Sequence, residues 1–127
     1  MKKLLILLFS ILISFNSYGG WFDKTVCVET NDVQDRDGII YLSNETKLFT
    51  GNNLCEYENG QIKHEGNYKD GKQDGKWTYW NKKGQKIEEG NYKDGDLVDK
   101  TIFKYSYFTG HLKSEKKYKD GKCISGC

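Results

Sequence analysis

The sequence predicts an all-β protein built as a meander of antiparallel β-hairpins. Three observations support this fold class. The hexapeptide GNYKDG occurs at 66–71 and again at 90–95, and YKDG returns at 118–121. Asp-Gly is a strong hairpin signal, because a two-residue type I′ turn needs positive φ at both central residues. The chain also has no Pro and 14 Gly, a composition that suits turns and strands better than helices.

The N-terminal segment, residues 1–19, has the layout of a secretory signal peptide. Two lysines precede an apolar run from Leu4 to Phe15, and the small residues Ser17 and Gly19 follow it. The run is shorter than the roughly 20 residues that span a bilayer. We therefore expect cleavage after Gly19, or one residue later, and export to the periplasm or the exterior. A retained membrane anchor is the alternative.

After this segment the chain is rich in aromatic residues and balanced in charge. Val, Ile and Leu together number 15, and so do Phe, Tyr and Trp, so aromatic rings must supply much of any core. Residues 21–60 carry a net charge of −5, whereas residues 61–127 carry +5. The zero total argues against tight nonspecific binding of nucleic acid. The basic part is either a solvated sheet surface or a docking face for an anionic partner.

Four cysteines lie in the part of the chain that would be exported. An even number of cysteines in a small exported domain predicts disulfides. Three connectivities are possible, and we favour Cys27–Cys55 with Cys123–Cys127. A zinc site built from all four thiolates is the rival, although a C-x3-C pair with two distant single cysteines is a poor zinc pattern.

The recurring turns divide the chain into units of 24 and 26 residues, a spacing typical of repeat proteins. Asn59-Gly60, Lys83-Gly84 and Thr109-Gly110 would supply a second set of turns, alternating with the Asp-Gly turns. The predicted strands between them are 61–69, 74–81, 85–93, 98–107 and 111–119.

Counting back from the turns predicts the pairs Lys69–Lys72, Gly66–Gly75 and Trp77–Gly90. A ring beside a strand glycine covers exposed backbone, so Gly66 and Gly90 are predicted sockets for aromatic rings. The longer spacing around 101–108 predicts a bulge or a longer turn there.

Residues 20–50 show no matching turn pair and are predicted to form an N-terminal cap, with Asp37-Gly38 as a turn between two strands. The repeats would then occupy 51–127, in units of about 51–71, 72–95 and 96–121. The first unit is degenerate, and a cysteine-containing tail follows the last.

The stretch from Leu48 to Gly95 resembles the MORN-repeat-variant proteins of bacteria, whose units read Y-K-D-G-K-x-D-G-x-W-x-x-Y-x-x-x-G. Trp80 replaces the second Tyr of this pattern, and Asp99 and Thr101 depart from it in the last unit. The resemblance implies an elongated, curved single sheet, and many relatives are labelled antitoxins. The residues expected to carry the repeat are Tyr68, Asp70, Gly71, Gly75, Trp77, Trp80, Gly84, Tyr92, Asp94, Gly95, Tyr118, Asp120 and Gly121.

The sequence shows no convergent catalytic group, metal site or cofactor motif. His64 and His111 fall in different repeat columns and are expected to be ordinary surface residues, and Glu88 and Glu89 should point to opposite faces of their strand. Trp77, Tyr79 and Trp80 are either core or part of a binding platform. The lysines that could edge such a platform are Lys69, Lys72, Lys76 and Lys82.

These patterns predict a nonenzymatic, exported β-repeat protein that serves as a binding or scaffold module in the bacterial envelope. Its partner would be a protein or an envelope component, with glycan or lipid as possible ligands, and not nucleic acid. The alternative is an antitoxin-like or immunity-like inhibitor that binds one partner protein.

Overall fold

A computed structural model describes residues 25–43 and 45–127, so the predicted signal peptide lies outside the described residues. The described chain is all-β, and no helix in it is long and apolar enough to cross a membrane. Eight strands form one open sheet in the order β1-β4-β5-β6-β7-β8-β9-β10, and β2 pairs with β3. The strands are β1 (Thr25–Val26), β2 (Val33–Arg36), β3 (Ile39–Leu42), β4 (Gly51–Glu56), β5 (Ile62–Lys69), β6 (Lys72–Trp80), β7 (Lys86–Lys93), β8 (Asp96–Tyr105), β9 (Leu112–Lys119) and β10 (Lys122–Ser125).

Every Asp-Gly turn predicted from the sequence is present. Asp70 and Gly71 have φ values of 50° and 77°, and the Asp94-Gly95 and Asp120-Gly121 turns have the same signs. Positive φ at both central residues is the requirement of a type I′ turn, whose twist matches that of the flanking strands. The predicted turn at 37–38 is likewise present, and it joins β2 to β3.

The second set of turns is of a different type from the first. Only the glycines Gly60, Gly84 and Gly110 have positive φ there, so these are not primed turns. The amide of Gly84 donates to the carbonyl of Asn81, and the same bond joins Gly60 to Tyr57. This is the three-residue loop in which a type I turn ends on a left-handed glycine.

The longer repeat spacing has two causes, of which the first is the longer turn that the sequence predicted near 101–108. The loop after β8 is one residue longer, because the amide of Gly110 reaches back to the carbonyl of Ser106, four residues away. In addition, β8 is one residue longer than β6, the corresponding strand of the preceding unit, with 10 residues against 9.

One face of the large sheet is covered by the N-terminal hairpin, which we define as β2, β3 and the segment leading to β4. Val33, Ile40 and Phe49 pack there against Tyr68 and Trp77. Hydrogen bonds fix the hairpin to the turn between β5 and β6. The amide of Ile40 donates to the carbonyl of Gly71, and the amide of Gly71 donates to the carbonyl of Phe49.

Trp77 fills the centre of this core, and its ring lies directly over Gly66, where any Cβ would clash with the indole. The predicted ring socket at Gly66 is therefore confirmed. The predicted pairing of Gly66 with Gly75 is wrong, because β6 bulges between Asp74 and Thr78 and neither glycine is paired between β5 and β6. The pairs Lys69–Lys72 and Trp77–Gly90 are as predicted.

Gly90 is not a socket for a ring, contrary to the prediction. A Cβ at Gly90 would lie 3.0 Å from Cδ1 of Leu97 and 3.3 Å from the carbonyl oxygen of Asp99. The next strand brings an aliphatic side chain and backbone to this glycine, so the ring packing of β6 over β5 is not repeated.

Both favoured disulfides are present, Cys27–Cys55 and Cys123–Cys127. The first closes the N-terminal strand onto the core, where Cys55 is 1% exposed. The expectation of a surface histidine is wrong for His64, which is 8% exposed. Its ring lies 5.7 Å from that of Tyr79, and its Nδ1 is 2.9 Å from the side-chain nitrogen of buried Asn53.

The far part of the sheet has no such cover. From residue 91 to 127 no residue is buried in the described structure, and the last buried position is Gly90. On the face that carries Trp77, β8 presents Lys100 opposite Gly90, and β9 presents Tyr118 opposite Lys100. We call strands β4–β6 the covered half and strands β8–β10 the open half.

Candidate functional site

The predicted platform of three aromatic residues is divided between the two faces of the sheet. Side chains alternate along a strand, so Trp77 and Tyr79 point to the covered face and Trp80 to the other. Trp77 is 1% exposed, so of the two alternatives for this residue its ring belongs to the core. Tyr79 is half-buried beside it, with the ring centroids 6.4 Å apart. Of the three rings, only that of Trp80 lies on the uncovered face.

The four lysines proposed to edge that platform do not converge. Lys69 and Lys72 face each other across the Asp70-Gly71 turn at one end of the sheet. Lys82 lies in the loop after β6, at the opposite end. Lys76 alone stays near Trp80, because both belong to the same face of β6.

The first candidate site is a groove of about 440 Å³ on the uncovered face of β4–β7. We call it the polar groove. Asn52 and Asn67 lie directly opposite each other on β4 and β5, and the next strands continue the row. Its main lining side chains are Asn52, Asn67, Lys76, Thr78, Trp80 and Lys86.

Charges in the polar groove are paired. Nζ of Lys76 lies 2.8 Å from one oxygen of Glu89, and Nζ of Lys86 lies 2.7 Å from the other. Hydrogen bonds from Lys76 and then Lys86 hold the pKa of the Glu89 carboxyl below its usual range, with burial opposing them. Glu88 points to the other face, towards Lys100, as the sequence predicted for these adjacent carboxylates.

The second candidate site lies at the end of the sheet formed by loops 57–61, 81–85 and 106–111, which we call the loop end. Tyr107 and Phe108 form the tip of the third loop and are 86% and 94% exposed. Their rings meet edge to face with centroids 5.5 Å apart. Two adjacent aromatic side chains so fully in water are unusual for a structural role, since large rings stabilise mainly by burial.

Basic and apolar groups surround this aromatic tip. Nζ of Lys83 lies 5.7 Å from the ring centre of Tyr107. A depression of about 630 Å³ opens beside it, with Ile87, Phe103 and Lys104 among its lining residues. The three aliphatic residues just after the three loops are also partly exposed, namely Ile62, Ile87 and Leu112.

The opposite end of the sheet, which we call the turn end, has another character. There each Asp-Gly turn is flanked by charged residues, such as Lys69 and Lys72 or Lys119 and Lys122. Lysines and aspartates alternate in sequence, and aromatic side chains do not occupy the turns. Among the described residues the strongly exposed aromatic rings are therefore at the loop end, whereas the turn end carries exposed aliphatic residues such as Leu97 and Ile124.

Sequence reasoning missed the loop end because its residues break the repeat pattern. Tyr107 and Phe108 stand where the other loops have Glu58-Asn59 and Lys82-Lys83. The usable signal was the extra length of this unit combined with two adjacent rings at a turn, where polar residues are the rule.

A third cluster lies near the first disulfide and does not offer metal ligands in this state. Ligand-type atoms of Cys27, Glu29 and Cys55 lie within 4.8 Å of one another, but both sulfurs are joined in the disulfide. Glu29 accepts hydrogen bonds from Lys63 at 2.7 Å and lies 3.2 Å from Nε2 of His64. The hydrogen bond from Lys63, followed by that from His64, lowers the pKa of the Glu29 carboxyl.

The fold and these sites define a disulfide-bonded, open β-sheet protein with two separate candidate sites, one polar and one aromatic. Comparison of the chain with protein families, with curated proteins and with solved structures finds no match.

Proposed function

We propose that the protein is an exported, nonenzymatic binding or scaffold module of the bacterial envelope, and that the loop end docks onto a partner protein. The observation that carries the proposal is the exposure of Tyr107 and Phe108 beside lysines. Exposed rings next to a shallow apolar depression resemble the aromatic anchors that dominate many protein interfaces. The two disulfides suit the oxidising compartment that export would reach.

The proposed organisation follows the sequence. Residues 1–19 would be the cleaved signal peptide, residues 20–50 the cap and residues 51–127 the MORN-variant hairpin units. In support, the N-terminal hairpin packs on the sheet and the recurring turns have matching geometry. The cap and the first units would act as a fixed frame, and the last unit would present the contact residues.

The chemistry of the loop end favours an acidic partner surface with an apolar pocket. Lys82, Lys83 and Lys104 lie around the depression, whereas Glu58 is the single acidic residue of the three loops. Complementary charge raises the rate of association, and the desolvated rings would supply the specificity. Phe108 is the best candidate anchor, since it carries no polar group and is the more exposed ring.

The antitoxin-like or immunity-like inhibitor is the second candidate. The same aromatic tip supports it, because a loop that projects from a rigid sheet can enter a cleft of a single partner. Such an inhibitor would form a stoichiometric complex with one exported enzyme or toxin, whereas a scaffold would assemble several components.

Site-specific photocrosslinking in the native host tests the proposal. A benzophenone amino acid at position 108 should give a discrete protein adduct, and the same probe at Lys93, exposed beside the Asp94-Gly95 turn, is the matched control. Adducts from 108 that disappear in a Lys83→Glu background support docking at the loop end. Identical adducts from both positions, or none from position 108, would refute it. One equimolar partner across conditions would favour the inhibitor.

A further inference from the structure

We propose that the polar groove binds an uncharged oligosaccharide, with Trp80 packing against a sugar ring and the amides of Asn52 and Asn67 bonding its hydroxyl groups. The groove lies on a sheet face, away from the tip formed by Tyr107 and Phe108. The inference therefore goes beyond the partner docking proposed above and can stand or fall without it.

The side chains of the groove match hydroxyl groups. Asn52 and Asn67 are opposite one another across β4 and β5, and each amide can both donate and accept. A sugar hydroxyl has the same dual capacity. Two amides side by side can thus both donate to and accept from neighbouring hydroxyls on one ring, whereas lysines only donate and carboxylates only accept.

The charge balance of the groove selects against an ionic ligand. Lys76 and Lys86 both contact Glu89, and Glu65 adds a second carboxylate to the lining. The formal charges of the two lysines and the two carboxylates therefore sum to zero. A phosphate or sulfate group would compete with Glu89 for lysines that already have an anionic partner. An uncharged polar chain meets no such competition.

Trp80 supplies the apolar contact that sugar recognition needs. Its ring lines the groove together with Thr78, two residues earlier on the same face of β6. The hydroxyl of Tyr57 donates to the carbonyl of Trp80 at 2.7 Å, which fixes the backbone that carries the indole. The C–H face of a sugar ring packs well against an indole, because the ring offers a large apolar surface.

The groove is held in shape by the core on the opposite face. Thr78, which lines the groove, is 4% exposed and directly follows Trp77 in β6. The strand that lines the groove therefore also carries the buried ring of Trp77. The Cys27–Cys55 disulfide secures the neighbouring strand β4. A preformed site loses less entropy on binding than a mobile one, which favours this half of the sheet as the place for a ligand.

Nuclear magnetic resonance titration of the full exported chain with chitohexaose and cellohexaose tests the inference, with a heparin hexasaccharide as the charged comparator. We expect saturable shifts of the Trp80 indole N–H and the Asn67 side-chain amide with at least one uncharged hexasaccharide. Trp80→Ala should weaken binding about tenfold, the effect of losing one ring contact. Trp80→Phe should recover part of it, and Tyr107→Ala should leave it unchanged.

Three results would overturn the inference. These are the absence of a resonance shift with either uncharged hexasaccharide, an undiminished affinity in Trp80→Ala, and tighter binding of the heparin hexasaccharide than of both uncharged ones. If Trp80→Ala fails to fold, Asn67→Ala provides the same comparison from β5. Because the crosslinking experiment reports on position 108, loss of sugar binding and loss of partner docking can be told apart.

Discussion

The covered half and the open half of the sheet are built from the same turns but are stabilised differently. In the covered half, Trp77 is 1% exposed and packs with Phe49, Tyr68 and the N-terminal hairpin. In the open half, Leu97 is 40% exposed and Ile124 is 62% exposed. The hairpin ladder therefore continues well beyond the part of the molecule that has a core.

One pair of residues shows the cause of the difference. Trp77 and Lys100 lie on the two sides of Gly90, paired with it from β6 and from β8. The ring of Trp77 is buried under the N-terminal hairpin. On the other side, the charged side chain of Lys100 favours contact of the sheet face with solvent. Turn chemistry sets the strand order in both halves, but a covering segment decides which half becomes rigid.

The largest contrast is expected from truncating Trp77. We predict that Trp77→Ala lowers the free energy of unfolding by about 3–5 kcal/mol, the range for a buried aromatic residue. Ile102→Ala, in the open half, should cost about 1 kcal/mol because its side chain is only partly buried. Urea denaturation monitored by circular dichroism measures both. Equal losses would break the distinction between the halves.

The two disulfides should differ in the same direction. Cys27–Cys55 closes a separation of 28 residues, whereas Cys123–Cys127 closes one of 4. Loop entropy assigns roughly 3–4 kcal/mol to the first and about 2 kcal/mol to the second. Thermal unfolding of Cys27→Ser/Cys55→Ser and of Cys123→Ser/Cys127→Ser, each as a double variant, should show the greater loss for the first pair. A greater loss for the terminal pair would contradict the account.

The two strand glycines offer a matched substitution. At Gly66 a methyl group would collide with the buried indole of Trp77, so Gly66→Ala should cost about 2–3 kcal/mol. At Gly90 the nearest atom is the flexible end of Leu97, 3.0 Å away, so Gly90→Ala should cost about 1 kcal/mol. Chemical denaturation of the two variants checks which loss of stability is larger. A larger loss for Gly90→Ala would mean that the Trp77 ring does not pack directly over Gly66.

Alkaline pH should weaken the covered half through its tyrosines. Burial, followed by the nearby Tyr79 hydroxyl, raises the pKa of Tyr68 to about 12 from 10.0. The Tyr68 hydroxyl therefore ionises at a lower pH in the unfolded chain than in the folded one. Its contribution to the free energy of unfolding is fully present below pH 10 and declines as pH rises towards 12. At pH 11 the loss is at most about 1.4 kcal/mol, the full value for a two-unit shift, because solvent near the hydroxyl reduces it.

Stability measurements from pH 8 to 11 test this decline, with Tyr68→Phe as the diagnostic variant. The slope of the free energy of unfolding against pH should become shallower in Tyr68→Phe. A further reduction is expected in the double variant with Tyr92→Phe, because burial raises the pKa of Tyr92 to about 12 as well. An unchanged slope in both variants would show that these hydroxyls are not protected by the core.

Much of the strand ladder could be predicted from the sequence, because its turns are local. Asp70-Gly71 and Asp94-Gly95 need only their own φ values to reverse the chain, and the strands between them follow. The disulfide pairing could also be favoured from the sequence, because Cys27–Cys55 would tie down the N-terminal segment and Cys123–Cys127 would close the chain end.

The sites were harder to predict, because burial depends on contacts between distant segments. The sequence alone does not show that Val33, Ile40 and Phe49 cover Trp77, so the three aromatic residues of β6 could not be assigned to core or surface. The groove also depends on sheet register, which brings Asn52 beside Asn67 from strands joined by a loop.

Native-state hydrogen exchange tests the central claim most directly, namely that one continuous sheet has a rigid covered half and a less stable open half. Amides of β5 and β6 should exchange only through global unfolding, whereas those of β9 and β10 should exchange through local opening at least about tenfold faster. Uniform protection from β5 to β10, or stronger protection in β9 and β10, would contradict the account.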